Sequence, residues 1–434
     1  MNLAQPTLVI ESLNHEGCGV AHRDGNAIFV DGALTGETVT YSVYRKKESF
    51  EMAQVTHILR ESPARVKPRC KHFGVCGGCS LQHMEPAAQI AAKQRVLEDN
   101  LAHIGKVRPE TMLSPIHGPA WGYRSRARLS VRLVEKKGGV LVGFHERKSS
   151  FVAEMTSCDV LPPRISALIP HLREMITQLS IRDQLPQLEL VATDAVDVLV
   201  IRHMVPLAEA DEVLLRSFAD THCIQWWLQS KGPDTIVPFY PLDAPELAYT
   251  LPEFNLVMPF RPSEFTQVNT AVNPVLMRRA MQLLDPQSTD RIVDMFCGLG
   301  NFTLPIARRA KQVVGIEGSK ELVTRARQNA ERNAIHNTEF RVENLFEINA
   351  EQLAALGHFD KMLIDPPRDG AFKLMESLDD SAPGRIVYVS CNPSTLARDA
   401  AVLVHDKGYR LRAAGIANMF PHTAHVESIA VFER

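Results

Sequence analysis

Cys391 stands in IVYVSCNPSTLARD, directly after an apolar run that reads as a strand. Ser390, Asn392 and Pro393 make the turn around it polar. A reactive thiol needs such access and stabilisation of its thiolate, whereas an isolated cysteine is as often a small packing residue. A second set of polar residues follows the same logic. In IVDMFCGLGNFTLPIA an apolar strand ends in Asp294, and Gly298-Leu299-Gly300 turns the chain into a helix. Glycines let a backbone approach a ligand closely, although the full GxGxxG spacing is missing. Glu317 ends the next apolar run, 23 residues after Asp294. An acid at about that distance binds ribose hydroxyls. Asn344 follows another strand, and Asp365 ends KMLIDPPR. Four strands thus deliver polar residues to one sheet edge, where ligands of open α/β sheets bind. The alternative is a row of solvent-facing strand caps.

Cys70, Cys76 and Cys79 form C-x5-C-x2-C in PRCKHFGVCGGCSLQH. Gly77 and Gly78 let the chain turn tightly between them. Cys158, in a turn before a proline pair, is the best fourth partner. Thiolate ligation suits structural zinc or an iron–sulfur cluster, and His72 and His83 keep a mixed Cys/His zinc site open. Cys18, Cys223 and Cys297 receive no chemistry.

Helix-like and strand-like segments alternate from about residue 270 to the C-terminus, with helices near 271–284, 302–310, 319–334 and 394–407. This predicts a doubly wound α/β sheet. Residues 5–60 read as short strands divided by Gly-rich turns, consistent with a small OB-like β-barrel. A helix is expected over 85–103. Residues 121–160 and 186–260 read as mostly strand, giving a β-rich centre. In YRSRARLSVRLV, alternation places Arg124, Arg126, Arg128 and Arg132 on one face, opposite phosphate or internal carboxylates. Residues 51–150 hold 17 Lys/Arg against 8 Asp/Glu, in a chain of net charge −2. Such a block suggests a polyanionic partner on one face, or a solvated basic surface. With 45% apolar and 23% charged residues the chain is not largely disordered. No membrane span, secretory signal or transit peptide is read, and eight cysteines in 434 residues point to a reducing, cytoplasmic setting.

Asp294-x-x-Cys-Gly-x-Gly, Glu317 and Asp365-Pro-Pro-Arg resemble an S-adenosylmethionine-dependent methyltransferase over residues 260–434, with NAD the runner-up cofactor. The Ser-Cys-Asn-Pro turn further resembles the RNA uracil-5 methyltransferase family. That resemblance makes Cys391 the nucleophile that adds to carbon 6 of uracil. Glu427, in FPHTAHVESIAVFER, becomes the base that removes the carbon 5 proton, in preference to His425. RPSEFTQVN resembles the family's Phe-x-Gln-x-Asn segment, which implies a cofactor contact from Gln267 and a stacking role for Phe265. Further cofactor contacts are implied for Phe296, Asn301, Glu317, Asn344 and Asp365, the last shared with the target base. Family members with this cysteine spacing carry a [4Fe-4S] cluster, which implies Cys70, Cys76, Cys79 and Cys158 as its ligands. The N-terminal stretch resembles a TRAM domain. The combination implies three parts: a TRAM-like barrel at 1–61, a basic iron–sulfur domain at 62–259 with a linker helix, and a Rossmann-like methyltransferase domain at 260–434. It also implies a monomer acting on 23S ribosomal RNA. Transfer RNA, a cytosine substrate and a non-catalytic RNA-binding or redox-sensing protein are the alternatives.

Overall fold

The computed structural model describes residues 6–434; the first five residues of the expected barrel lie outside them. Six strands open the chain: β1 (Thr7–Val9), β2 (Ser12–Leu13), β3 (Gly19–Arg23), β4 (Asn26–Asp31), β5 (Thr38–Lys46) and β6 (Phe50–Arg60). They form one mostly antiparallel sheet in the order β1-β5-β6-β4-β3-β2, around a small core that includes Ile10, Ile28, Val30 and Val39. The cysteine loops follow. Helix α1 (Pro86–Asn100) starts at Glu85, whose carboxylate accepts from Ala88 N at 3.0 Å, and has proline at its first position. It continues as a π-turn through Gly105, and a two-residue strand, β7 (Thr111–Met112), comes next.

The central sheet has the order β13-β12-β11-β10-β8-β9. Its elements are β8 (Arg126–Val134), β9 (Gly139–Gly143), α2 (Pro163–Gln178), β10 (Gln187–Ala192), β11 (Asp197–Arg202), α3 (Glu209–His222), β12 (Ile224–Gln229) and β13 (Val237–Tyr240). Helix α3 corrects the strand-like reading of 186–260. Acidic Glu209, Asp211 and Glu212 fill its first turn, which suits the helix dipole, and Leu215, Phe218 and Ala219 recur on its buried face. The arginine stripe is divided in the fold. Arg126 donates to the carbonyls of Pro262 and Glu264, and Arg128 pairs with Glu189 at 2.6 Å, while Arg132 stays exposed.

After a hairpin of β14 (Ala248–Leu251) and β15 (Leu256–Pro259), the chain enters the predicted alternation. It runs α4 (Asn273–Leu284), β16 (Arg291–Met295), α5 (Thr303–Ala307), β17 (Gln312–Glu317), α6 (Lys320–Arg332), β18 (Thr338–Val342), α7 (Ala350–Ala355) and β19 (Lys361–Ile364). It ends with α8 (Phe372–Ser377), β20 (Arg385–Ser390), α9 (Pro393–Ala401), β21 (Arg410–Ala417) and β22 (Glu427–Glu433). The sheet order is β18-β17-β16-β19-β20-β22-β21-β7. The five strands from β18 to β20 are parallel, and β22 runs antiparallel between β20 and β21. Strand order reverses between β16 and β19, which is the topological switch point of a doubly wound sheet.

Helix α1 precedes the central sheet in the chain yet packs on this last one. Leu97 and Leu101 share a core cluster with Val293, Ile316, Leu396 and Ala400, and β7 joins the edge of the same sheet through β21. Residues read as a linker therefore serve as core. No helix among the described residues is long and apolar enough to cross a membrane. Leu97 is fully buried, so Leu97→Ala should lower stability by about 2–4 kcal/mol, read as a lower denaturant midpoint. An unchanged midpoint would mean that α1 contributes no core.

Candidate active site

Five neighbouring strands end at one edge of the C-terminal sheet, and each delivers a residue singled out in the sequence. In spatial order these are Asn344 after β18, Glu317 at the end of β17, Phe296 after β16, Asp365 after β19 and Cys391 after β20. The β16 turn is tight. Phe296, Gly298 and Gly300 all have positive φ, at 64°, 56° and 95°. A side chain is costly in that region, and glycine is not. Phe296 lies half-buried, edge-on to Phe346.

Glu317 is held by backbone donors, accepting from Gly298 N at 3.1 Å and Ser319 N at 2.9 Å. Ser319 in turn caps α6 by accepting from Leu322 N. Asp294 is fully buried beneath the turn. One carboxylate oxygen accepts from Thr303 Oγ1 at 2.5 Å, and the other has no partner. Burial, with smaller pushes from Asp365 and Glu317, raises the Asp294 carboxyl to about 8. Burial alone raises Asp365 to about 7. Asn301 accepts from Tyr249 Oη at 2.8 Å, which ties the turn to the β14–β15 hairpin. Asn344 donates to Glu347 and accepts from Phe346 N, and remains exposed. Gln267 is half-buried and Phe265 is 69% exposed. Arg126 fixes the segment that carries them, and Ser125 donates to Val268 O.

Cys391 and Glu427 meet through strand register. The antiparallel pairing of β20 with β22 sets Ser390 opposite Ser428. Cys391 follows Ser390 and Glu427 precedes Ser428, so both lie at the same end of neighbouring strands. Asn392 caps α9 by accepting from Ser394 N, and Pro393 occupies the first helical position, so the chain turns sharply just after the thiol. Cys391 is half-buried. Its thiol is raised to about 11, chiefly by burial and then by Glu427 and Asp365, against the pull of Arg368. Glu427 is 9% exposed. Burial raises its carboxyl to about 8, Asp365 adds to this, and Arg368 and Lys93 oppose it. His425 is exposed and lies beside Arg368, at 3.4 Å between Nδ1 and Nη2.

A cleft of about 1110 Å3 opens beside the thiol. Cys391, Arg368 and His425 line it, as do Cys70, Cys76, Cys79 and Cys158. All eight cysteines are free thiols. Burial raises Cys79 to about 12 and Cys158 to about 11, and both also feel Cys70 and Cys76. Among the described residues, however, no three His, Cys, Asp or Glu side chains are arranged to hold a metal ion. The four thiols are neighbours without forming a closed coordination sphere.

Sequence reasoning passed over Lys93 and Gln89, which reach this region from α1. A signal was available: both fall on the same helical stripe as buried Leu97. Arg368 was quoted only as part of Asp-Pro-Pro-Arg, and Thr303 and Tyr249 carried no pattern of their own.

The switch-point edge, the glycine turn and the acid at the end of the second strand make the cofactor-binding edge of a doubly wound sheet, and likeness to known proteins makes it that of a methyltransferase. A sequence profile of the tRNA (uracil-5-)-methyltransferase family matches residues 85–434. Among curated relatives, the 23S rRNA (uracil(1939)-C(5))-methyltransferase RlmD of Nitrosospira multiformis is 62% identical, covering 98% of each chain. That of Thiobacillus denitrificans is also 62% identical, over 99% of this chain and 100% of its own. The Pyrococcus abyssi tRNA (uracil-54, C5)-methyltransferase, solved with S-adenosyl-L-homocysteine, superposes with a TM-score of 0.76 at 26% identity, covering 99% of this chain and 100% of its own. The chain belongs to the RNA uracil-5 methyltransferase family.

The high pKa of Cys391 has a direct consequence. Iodoacetamide attacks thiolate, so alkylation of Cys391 in the free protein should keep accelerating through pH 10, followed by peptide mass spectrometry. A plateau below pH 9 would contradict the raised thiol.

Proposed function

We propose that the protein methylates carbon 5 of a uridine in 23S ribosomal RNA, with Cys391 as nucleophile and Glu427 as base. The observation that supports the chemistry is that β20 and β22 pair up to Ser390 and Ser428, so Cys391 and Glu427 lie at the same end of neighbouring strands, and the thiol feels the carboxyl's charge. The substrate follows from the relatives of about 60% identity, each matched over nearly its whole length. Carbon 5 of uracil is a weak nucleophile. Addition of the Cys391 thiolate to carbon 6 makes an enolate, and carbon 5 can then accept a methyl group. Glu427 takes the carbon 5 proton, after which the carbon 6–sulfur bond breaks and the thiolate leaves. A carboxyl raised to about 8 is well matched to accepting a proton near neutral pH.

S-adenosylmethionine would supply the electrophilic methyl group. The strand edge fits it on charge. Asp294, Glu317 and Asp365 crowd together, and the hydrogen-bond partners of Asp294 and Glu317 there are neutral. The unpartnered oxygen of Asp294, and the push that Asp365 and Glu317 add to its carboxyl, mark negative charge that a sulfonium and an amino group would relieve. In this reading Glu317 binds the ribose, Gln267, Phe296, Asn301 and Asn344 complete the cofactor site, and Asp365 faces both cofactor and base. Phe265, exposed and two residues before Gln267 in the chain, stacks on a flipped uracil in this reading. The N-terminal sheet acts as a TRAM-like RNA-binding barrel over 1–61, the basic central domain over 62–259 adds RNA contacts, and 260–434 carries out the chemistry. The enzyme works as a cytoplasmic monomer.

RNA fragments carrying 5-fluorouridine test the reaction. Fluorine cannot leave as a proton, so a covalent protein–RNA adduct should persist on a denaturing gel and vanish in Cys391→Ala. With ordinary uridine, Glu427→Gln should accumulate adduct and lose at least about 100-fold in turnover. Adduct on transfer RNA and none on 23S fragments would change the substrate. No adduct on any RNA would remove the nucleophile.

The cysteine loops support a structural [4Fe-4S] cluster on Cys70, Cys76, Cys79 and Cys158. Four reduced thiols line one cleft; burial and then their thiol neighbours raise Cys76, Cys79 and Cys158, and a bound cation would reverse that repulsion. Closing the sphere requires the thiols to draw together. Protein purified without oxygen should contain about four iron and four sulfide per chain, and Cys158→Ser should lose most of both. Folded protein holding zinc and no iron would overturn the cluster.

A further inference from the structure

Gln89 and Lys93 are one turn apart on α1 and are 0% and 2% exposed. Both reach the segment Asn418–His422, which leads into Glu427, and the Gln89 amide also donates to Leu81 O at 3.0 Å and Met84 O at 2.8 Å. Gln89 Oε1 accepts from His422 N at 2.8 Å, and its Nε2 lies 3.1 Å from His422 Nδ1. Lys93 Nζ donates to Asn418 Oδ1 and to Phe420 O, both at 2.8 Å. An uncharged donor could make either bond. Burying an ammonium on neutral acceptors is expensive, so its charge calls for a partner. Burial lowers the Lys93 ammonium to about 7, and Glu427 is the acid whose charge pushes it back up. Around Glu427 stand Lys93 from α1, Asp365 and Arg368 after β19, and Cys391 after β20. Around Lys93 stand Glu427 and the two histidines His422 and His425, whose protonation it disfavours.

We propose that Lys93 is a positioning residue for proton removal: it fixes the loop that delivers Glu427, and in its protonated form it favours the ionised carboxyl. The proposal rests on the reading of Glu427 as the base. Gln89 holds the same loop without a charge and is the natural control. A loop-holding role alone would slow both variants alike. A charge role would move the pH dependence in one of them.

The sign follows from the charge. A cation beside a carboxyl favours the ionised form, so its removal raises the carboxyl's pKa and delays ionisation to higher pH. The measurement is single-turnover release of tritium from a 23S RNA fragment containing uridine tritiated at carbon 5, as a function of pH. In Lys93→Met the acidic limb should move up by about one pH unit, with release at pH 7 slowed by about tenfold. In Gln89→Met the rate should fall with the limb unmoved. In Lys93→Arg the limb should stay at the wild-type pH or below it. Equal slowing in Lys93→Met and Gln89→Met with no shift, or an upward shift in Lys93→Arg, would overturn the proposal. If Lys93→Met fails to fold, judged by its melting and its binding of S-adenosyl-L-homocysteine, the Lys93→Arg limb decides alone. Glu427→Gln is measured in parallel. Normal tritium release there would refute the base itself, whereas blocked release with an unshifted Lys93→Met limb would refute the role of Lys93 alone.

Discussion

The segment from Asn418 to His422 is the constraint on which the site depends. A buried carbonyl needs a donor, and here each carbonyl from Met419 to His422 receives one from elsewhere in the chain. Asn269 donates to Met419 O, Lys93 to Phe420 O and Tyr123 to Pro421 O, while Ser80 N and Leu81 N both donate to His422 O. Asn418 N donates to Ile116 O, and the His422 ring stacks on Trp121 with centroids 3.9 Å apart. His422 has a positive φ of 65°, which a side-chain-bearing residue keeps only when its surroundings over-determine it. That one strained turn joins the cysteine loop, helix α1, the approach to β8 and the Gln267 segment to the start of β22. The position of Glu427 is therefore a property of the whole chain and not of its own strand.

Electrostatics follow from the same crowding. Asp294, Asp365, Glu427 and Cys391 all sit at strand ends of one sheet, and burial disfavours the charged form of each. Arg368 and Lys93 offset part of this at Glu427, and Arg368 with a backbone hydrogen bond does so at Cys391. The free site thus holds its thiol largely protonated and its acids poised near neutrality. A cationic ligand on the carboxylate side would shift that balance toward ionised acids. Cys79 immediately precedes the two residues that grip His422 O. Whatever orders the cysteine loop therefore also orders the turn before Glu427, across the cleft that both regions line.

What the sequence made legible was local. Strand ends carrying Asp294, Glu317, Asp365 and Cys391 were readable because short apolar runs stop at a polar residue, and the parallel order then aligns them. The switch-point layout followed from alternation alone. The helices α4 and α6 fell close to their predicted limits, and α9 began near its predicted start, because caps or prolines mark their starts. Long-range pairing was not legible. Helix α3 hid in a stretch whose neighbours are strands, since its apolar spacing is brief and its acidic first turn resembles a loop. The arginine stripe suggested one charged face, yet the fold buries Arg126 against carbonyls some 136 residues away and pairs Arg128 with the neighbouring strand. Gln89 and Lys93 looked like ordinary surface residues of a helix. Their spacing with Leu97 placed them on the buried stripe, and a polar side chain on such a stripe must find a partner. That partner lies more than 320 residues further along, so periodicity can announce the need and only the fold can supply the answer.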